Sequence, residues 1–303
     1  MVQEKMTRLI IITGPTAVGK SATAIEAAIR FGGEIVSADS MQIYKGMDIG
    51  TGKVTKSEMC SVPHFLLDVV SPDQDYSVGQ YVLDAKKAID DIAARGKTPI
   101  LVGGTGLYIN SLLFNHSFAS APKDDGVRNK LKEFLAINGA EKLYERLKEV
   151  DPVSSGQINP NDTKRIIRAL EIYELTGKPR GESKDELKPC YDYLFAVITD
   201  ERQALYDRIN NRVDKMVELG LVDEVKSLYK YKDCNSMQAI GYKEIVAYLD
   251  SKVSLGEAIE QVKQSSRRYA KRQMTFFRGI RAEKQFFNAG DQGVYALIDN
   301  FLN

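Results

Sequence analysis

The chain has 303 residues, of which 43% are hydrophobic and 27% charged, with a net charge of +1. This is the composition of a folded water-soluble protein with room for one large domain or a core plus an insertion. The near-zero charge excludes a molecule that binds polyanions over its whole surface, so any nucleic-acid contact must be a local patch. Cys60, Cys190 and Cys234 are odd in number and far apart, which argues for free thiols in a reducing compartment. With only His64 and His116, a His/Cys zinc site and a Ser-His-Asp triad are both disfavoured. The opening residues carry no signal-peptide pattern and no apolar run approaches membrane length, so a cytoplasmic protein without membrane contact is expected.

In chain order, the first element is an apolar strand over Leu9–Thr13. It runs into GPTAVGKS, residues 14–21, which fits the phosphate-loop pattern G-x-x-x-x-G-K-[ST] with Gly14, Gly19, Lys20 and Ser21. Residues Ala22–Phe31, rich in Ala and Ile, read as the following helix. A helix start exposes unpaired N–H groups and partial positive charge, and the glycines let the backbone wrap an anion. Residues Gly14, Pro15, Thr16, Ala17, Val18, Gly19, Lys20 and Ser21 are therefore expected to cradle a di- or triphosphate, Ser21 holding a magnesium ion. The plainer alternative is a Gly-rich turn with a surface Lys.

A second strand, Glu34–Ser37, ends at Ala38-Asp39-Ser40. A helix follows over Tyr81–Ala94, then a fully apolar strand, Thr98–Val102, ending in Gly103-Gly104-Thr105-Gly106. This βαβ rhythm predicts an α/β fold, a P-loop NTPase-like parallel sheet with helices on both faces. Ligands bind such sheets beyond the carboxyl ends of the strands, so residues 14–21, Asp39 and Thr105 should converge. Asp39 alone reads as a turn or cap residue; facing the phosphate loop, it becomes a candidate general base or magnesium partner. Thr105 carries the same two readings. The glycine-rich segments 44–48 and 50–52 are consistent with a surface loop.

The character changes near residue 118, after which Ser120-Ala121-Pro122 breaks the chain. Val127, Leu131, Phe134 and Leu135 recur at helical spacing up to Asn138-Gly139. A second helix covers about Ala140–Val150, and a third starts after Asn159-Pro160-Asn161-Asp162 and runs to about Leu175, with Gly177 beyond it. We read residues 118–189 as a small helical insertion domain and residues 1–117 with 190–303 as the catalytic core. Tyr191–Ile198 returns to strand, and the chain is then expected to be helical to its end. Lys164, Arg165 and Arg168 make one basic cluster. Between residues 263 and 284, eight basic residues (263, 267, 268, 271, 272, 278, 281 and 284) stand against Glu283, with Tyr269, Phe276 and Phe277 interleaved. Such runs are usually solvated helix faces, but on a near-neutral chain this one suggests a nucleic-acid backbone contact. Arg208 and Arg212, four apart, are expected to clamp phosphate or to pair with Asp207 and Asp214.

Taken together, DSMQIYKGMDIGT (39–51), LLDVVSPDQDYSV (66–78), PILVGGTGLYI (99–109), INPNDTKRIIRALE (158–171), AIGYKE (239–244) and RRYAKRQMTFFR (267–278) resemble one family. These segments are similar to the bacterial tRNA dimethylallyltransferases, also called tRNA isopentenyltransferases. The resemblance implies transfer of a dimethylallyl group from dimethylallyl diphosphate to the exocyclic amine of the adenosine 3′ of the anticodon in tRNA. It implies Asp39 as the base with Thr105 beside it, and a diphosphate held by residues 14–21 and Arg212 with Mg2+ on Ser21. It also implies tRNA contacts by Asp39, Ser40, Met41, Gln42 and Thr105, and anticodon stem-loop contacts by Arg128, Thr163, Lys164, Arg165, Ile166 and Ile167. A monomer is expected. Many members carry Trp in the segment that here reads Thr275-Phe276-Phe277-Arg278, and this chain has no Trp. Two alternatives remain: a small-molecule kinase using ATP at the same loop, and an RNA-binding NTPase switch. The switch is disfavoured because the third strand ends in Gly103-Gly104, without a carboxylate for magnesium.

Overall fold

The computed structural model describes residues 6–114, 124–179 and 188–303. The chain divides into two compact units, Met1–Asn115 with Pro189–Asn303, and His116–Lys188. The Ser120-Ala121-Pro122 break lies outside the described residues.

In the first unit, β1 (Arg8–Thr13) leads into α1 (Lys20–Phe31), then β2 (Gly33–Ser37) and the two-residue β3 (His64–Phe65). Next come α2 (Val78–Ala94), β4 (Thr98–Gly103) and α3 (Gly106–Leu113). Helix α2 begins three residues before the expected Tyr81 because Ser77 caps it, its hydroxyl accepting from the Gln80 amide at 3.1 Å. The second unit holds α4 (Asp125–Val150), α5 (Pro152–Ser155) and α6 (Thr163–Thr176). Gly139, where the sequence reading ends one helix and starts the next, interrupts α4 with φ 81° and ψ 171°. Asp162 caps α6 and Gly177 closes it in the left-handed conformation. Leu131, Leu143, Leu147, Ile166, Ala169 and Leu170 form this unit's own core.

The chain then returns to the first unit with β5 (Asp192–Thr199), α7 (Arg202–Glu218), α8 (Leu221–Ser227), α9 (Tyr242–Leu249), α10 (Leu255–Gly279), β6 (Gln285–Asn288) and α11 (Gly293–Leu302). The six strands make one all-parallel sheet in the order β3-β2-β4-β1-β5-β6. Strand β6 corrects the expectation of helix from residue 198 onward. Four residues at a sheet edge, only one of them half-buried, carry too little alternation to read as a strand. Strand β3 escapes notice for the same reason.

Alternation along β1 splits the core. Leu9 and Ile11 face Tyr81, Ile89, Ile109 and Phe277 on one side, while Ile10 and Ile12 face Ala24, Leu205, Ile209 and Ile298 on the other. A strand buried on both faces is apolar throughout, as parallel sheets require. The carboxyl ends of β1 and β4 are tied together by the Thr13 hydroxyl, which donates to the Gly103 carbonyl at 2.7 Å.

Candidate active site

A crevice of about 870 Å³ opens beyond those strand ends. Its wall carries Thr16, Ala17, Gly19, Lys20 and Ser21 from the phosphate loop, Asp39 and Gln42 after β2, Gly103 and Gly104 after β4, and Arg212 from α7. Segments far apart in sequence converge here because every parallel strand ends at the same edge of the sheet.

The loop from Gly14 to Gly19 joins β1 directly to α1. Gly14 has φ 148°, and a Cβ there would stand 2.1 Å from the Ile198 carbonyl of β5, so only glycine lets the chain leave the sheet this way. Helix α1 starts after Gly19 without a side-chain cap, which leaves its first amides directed at the crevice. Val18 turns inward and packs with the core at 2% exposure, so its contribution to the loop is structural. The Ser21 hydroxyl has no hydrogen-bond partner among the described residues.

Two cations stand together at the base of the crevice. Lys20 donates to the Pro15 carbonyl at 2.7 Å. The Arg212 guanidinium lies against the backbone of Gly52, reaching the Thr51 carbonyl at 3.3 Å and Thr16 Oγ1 at 3.5 Å. Both side chains keep some solvent contact yet are surrounded by protein, and neither makes an ion pair among the described residues. Burial, and then the neighbouring Arg212 charge, lower the Lys20 ammonium to about 8, with Asp39 acting in the opposite direction. Burial likewise lowers Arg212, against Asp39 and Glu58. Two adjacent, poorly hydrated cations without a carboxylate partner form a site that an anion would complete. Arg208 also lines the crevice but, unlike them, is paired, with Asp200; Asp214 is taken by Lys263 at 2.8 Å, so the sequence expectation of Asp207 and Asp214 as partners is corrected.

Asp39 caps the turn with one carboxylate oxygen and leaves the other open. Its Oδ1 accepts from the Met41 amide at 2.9 Å and the Gln42 amide at 3.4 Å, capping the turn. No donor meets its Oδ2 among the described residues, and Asp39 lies on the crevice wall with Lys20 and Arg212. Thr105 holds the turn in place: its Oγ1 accepts from the Ser40 amide at 2.9 Å and meets Ser40 Oγ at 3.3 Å, while its own amide donates to the Ala38 carbonyl at 3.0 Å. Ser40, Met41 and Thr105 are not wall residues; Met41 packs into the apolar cluster around Ile43 and Tyr242. Gln42 does reach the wall, its Nε2 lying 3.4 Å from the Thr51 and Gly52 carbonyls.

Three features of the crevice are not placed there by the sequence reading. Gln273 of α10, 5% exposed, accepts the Thr16 amide at 2.9 Å and donates to the Gly104 carbonyl at 2.9 Å. One amide thus braces the phosphate loop against the end of β4. Tyr269, one turn earlier, lies against Thr105 and Gln273, and burial followed by the Asp39 charge raises its phenol. The 48–52 segment, legible only as a surface loop, forms a wall of the crevice and seats Arg212. In the sequence, Gln273 and Tyr269 stand four apart within the basic run and the 267–278 segment that carries the family resemblance, with nothing local to place them at the phosphate loop.

That basic run divides by face. Lys263 pairs with Asp214 and Glu260, Arg267 bonds Asn210, and Lys284 bonds the Ile280 carbonyl. Arg268, Lys271, Arg272, Arg278 and Arg281 stay exposed, as does Phe276. In the second unit, Lys164 and Arg165 are exposed on the first turn of α6, where Arg165 pairs with the capping Asp162 at 3.3 Å. Thr163 opens that helix. The Ile166 side chain is fully buried and Ile167 is partly buried against the same core, so Ile166 can offer a ligand only its backbone. Arg128 is held through Nε by the buried Glu171 at 2.8 Å, and Arg168 takes the other Glu171 oxygen at 2.7 Å.

The IPP transferase family model matches residues 42–280. The tRNA dimethylallyltransferase of Thermoanaerobacter sp. (strain X514) is 51% identical over 288 residues, covering 92% of this chain and 91% of its own. The crystal structure of the tRNA isopentenylpyrophosphate transferase of Bacillus halodurans aligns with a TM-score of 0.73 at 44% identity, over 97% of this chain and 96% of that one. A eukaryotic dimethylallyltransferase captured acting on tRNA aligns with a TM-score of 0.85 at 32% identity, over 98% of this chain and 79% of that one. With a family match across most of its length and a relative that is 51% identical over 92% of it, the chain belongs to the IPP transferase family.

Proposed function

We propose that the crevice transfers a dimethylallyl group from dimethylallyl diphosphate to the exocyclic amine of the adenosine 3′ of the anticodon in tRNA, releasing pyrophosphate. The observation that carries this reading is the unpaired couple Lys20 and Arg212 sharing one wall with the open oxygen of Asp39. In the reaction a C–N bond forms between the amine and the allylic carbon while the C–O bond to the diphosphate breaks. The bonding electrons leave with pyrophosphate, whose charge grows in the transition state. The amides that open α1, Lys20 and Arg212 are preorganised donors for that charge, and one such donor is typically worth about 3 kcal/mol. Asp39 Oδ2 takes the amine proton, a role typically worth about 10²–10⁴ in rate. An anticodon-loop base is already unpaired, so turning it into a pocket costs only a few kcal/mol.

The residues fit a magnesium ion that arrives with its substrate. Magnesium takes hard oxygen donors and is usually held by one or two carboxylates together with substrate phosphates. Among the described residues, no group of three or more His, Cys, Asp or Glu is suited to a metal, and Ser21 Oγ, on the crevice wall, has no hydrogen-bond partner. Ser21, with diphosphate oxygens, would hold the ion, and the ion would supply further neutralisation of the leaving group. For tRNA, the proposed contacts are Asp39, Ser40, Met41, Gln42 and Thr105 around the target nucleotide. Arg128, Thr163, Lys164, Arg165, Ile167 and the Ile166 backbone are the proposed contacts to the anticodon stem-loop. The protein is proposed to act as a cytoplasmic monomer; all three cysteines are free, and no described helix is long and apolar enough to cross a membrane.

A small-molecule kinase would use the same loop, but the relatives are named as prenyl transferases acting on tRNA. The deciding experiment incubates the purified protein with unmodified tRNA, dimethylallyl diphosphate and magnesium, then analyses digested tRNA by mass spectrometry. A dimethylallyl-adenosine is expected. Its absence, with ATP consumed in the presence of a small acceptor, would overturn the transferase reading.

A further inference from the structure

Glu224, on α8, collects hydrogen bonds that the transfer chemistry does not explain. Its Oε2 accepts from the amides of Asp48 at 2.9 Å and Ile49 at 2.7 Å, and its Oε1 accepts from the Gly50 amide at 3.0 Å and the Tyr242 hydroxyl at 2.6 Å. Three successive N–H groups converging on one point form an anion nest, here filled by a carboxylate from over 170 residues away in the chain. The same segment packs closely against the Tyr242 ring: a Cβ at Gly50 would stand 2.5 Å from it. Two residues further on, Gly52 adopts φ 57°, and a Cβ there would stand 1.7 Å from the Arg212 guanidinium. The adjacent Thr51 carbonyl accepts from that guanidinium.

We propose that Glu224 is a positioning residue for Arg212: by filling the 48–50 nest it fixes the backbone of 51–52, the shelf that aims the guanidinium into the crevice. This inference rests on the reading of the crevice as a diphosphate site. Arg212 makes no ion pair of its own among the described residues, so its direction is set by the shelf it lies on. If the 48–52 segment shifted, Arg212 would lose both its carbonyl acceptor and its packing surface. A charge-assisted carboxylate clamp on three amides is a stiff way to prevent that shift.

The test compares wild type with Glu224→Gln and Glu224→Ala, measuring binding of inorganic pyrophosphate with magnesium by titration calorimetry. The KM for dimethylallyl diphosphate, the KM for tRNA and the melting temperature are read in parallel. Glu224→Gln keeps the shape but loses the charge and one acceptor oxygen. It is expected to weaken pyrophosphate binding and raise the dimethylallyl diphosphate KM on the order of tenfold, since misplacing a positioned group by 1 Å costs up to about 10²-fold. The tRNA KM should stay at its wild-type value. In a double-mutant cycle with Arg212→Lys, the second substitution should add little once the first is present. Wild-type pyrophosphate affinity in Glu224→Gln, with or without a lowered melting temperature, overturns the inference, as does an additive cycle. Should Glu224→Ala fail to fold, Glu224→Gln and the cycle decide alone. A wild-type protein that binds no pyrophosphate would instead refute the diphosphate reading itself, a result visible before any variant is compared.

Discussion

Replacing Asp39 by Asn separates the two functions that its two oxygens perform. The amide keeps Oδ1, so the hydrogen bonds from the Met41 and Gln42 amides survive and the turn stays capped. Only the open Oδ2 is lost, exchanged for an NH2 group that cannot take a proton. If Oδ2 is the base, the chemical step should slow by about 10²–10⁴, which is about 2.7–5.5 kcal/mol of barrier. The melting temperature should stay near the wild-type value. Asp39→Ala removes the cap as well, leaving two amides without their acceptor, at about 1–3 kcal/mol. In a unit of this size that lowers the melting temperature by about 2–4 °C per kcal/mol. The assay is single-turnover transfer to an unmodified tRNA transcript at saturating substrates, read by mass spectrometry of the digest, with a thermal melt of each variant. Two observables thus distinguish base from cap: the Asn variant loses rate alone, the Ala variant loses rate and stability. An Asn variant within tenfold of wild type would refute the assignment and send the proton elsewhere.

Lys20 gives a pH signature. With its ammonium lowered to about 8 by burial and Arg212, it is half-protonated in the free protein at pH 8, and a bound diphosphate favours the charged form. Binding of dimethylallyl diphosphate without tRNA at pH 8 should therefore take up roughly half a proton. Affinity should decline as pH rises through 8, and the uptake should vanish in Lys20→Met; calorimetry in buffers of different ionisation enthalpy checks both. Gln273→Leu strands the Thr16 amide and the Gly104 carbonyl, each costing about 1–3 kcal/mol. It should reduce kcat/KM for dimethylallyl diphosphate while leaving tRNA affinity, measured by filter binding, near wild type. Neutralising the exposed Lys164 and Arg165 should weaken tRNA binding and lower the slope of log K against log salt by about 1–2. An unchanged slope would make them a solvated face.

Helices α1, α2, α4 and α6 and the central strands were legible because their causes are local. The continuous apolar run of β1, the Asp162 cap and the Gly177 stop of α6, and the glycine pattern before α1 all act within a few residues. For the same reason the phosphate loop could be placed on a strand–helix junction and Asp39 on the same sheet edge. Strands β3 and β6 were illegible because short edge segments bury too little to leave a period. What the amino-acid sequence determined by itself is the parallel α/β architecture, the position of the candidate phosphate loop and of the candidate base, and the family its motifs resemble. Only the tertiary structure decided that Gln273 braces the phosphate loop and that Gly52 seats Arg212. Those arrangements link groups up to 257 residues apart, brought together by the burial of both sheet faces, and no local pattern carries the address of so distant a partner.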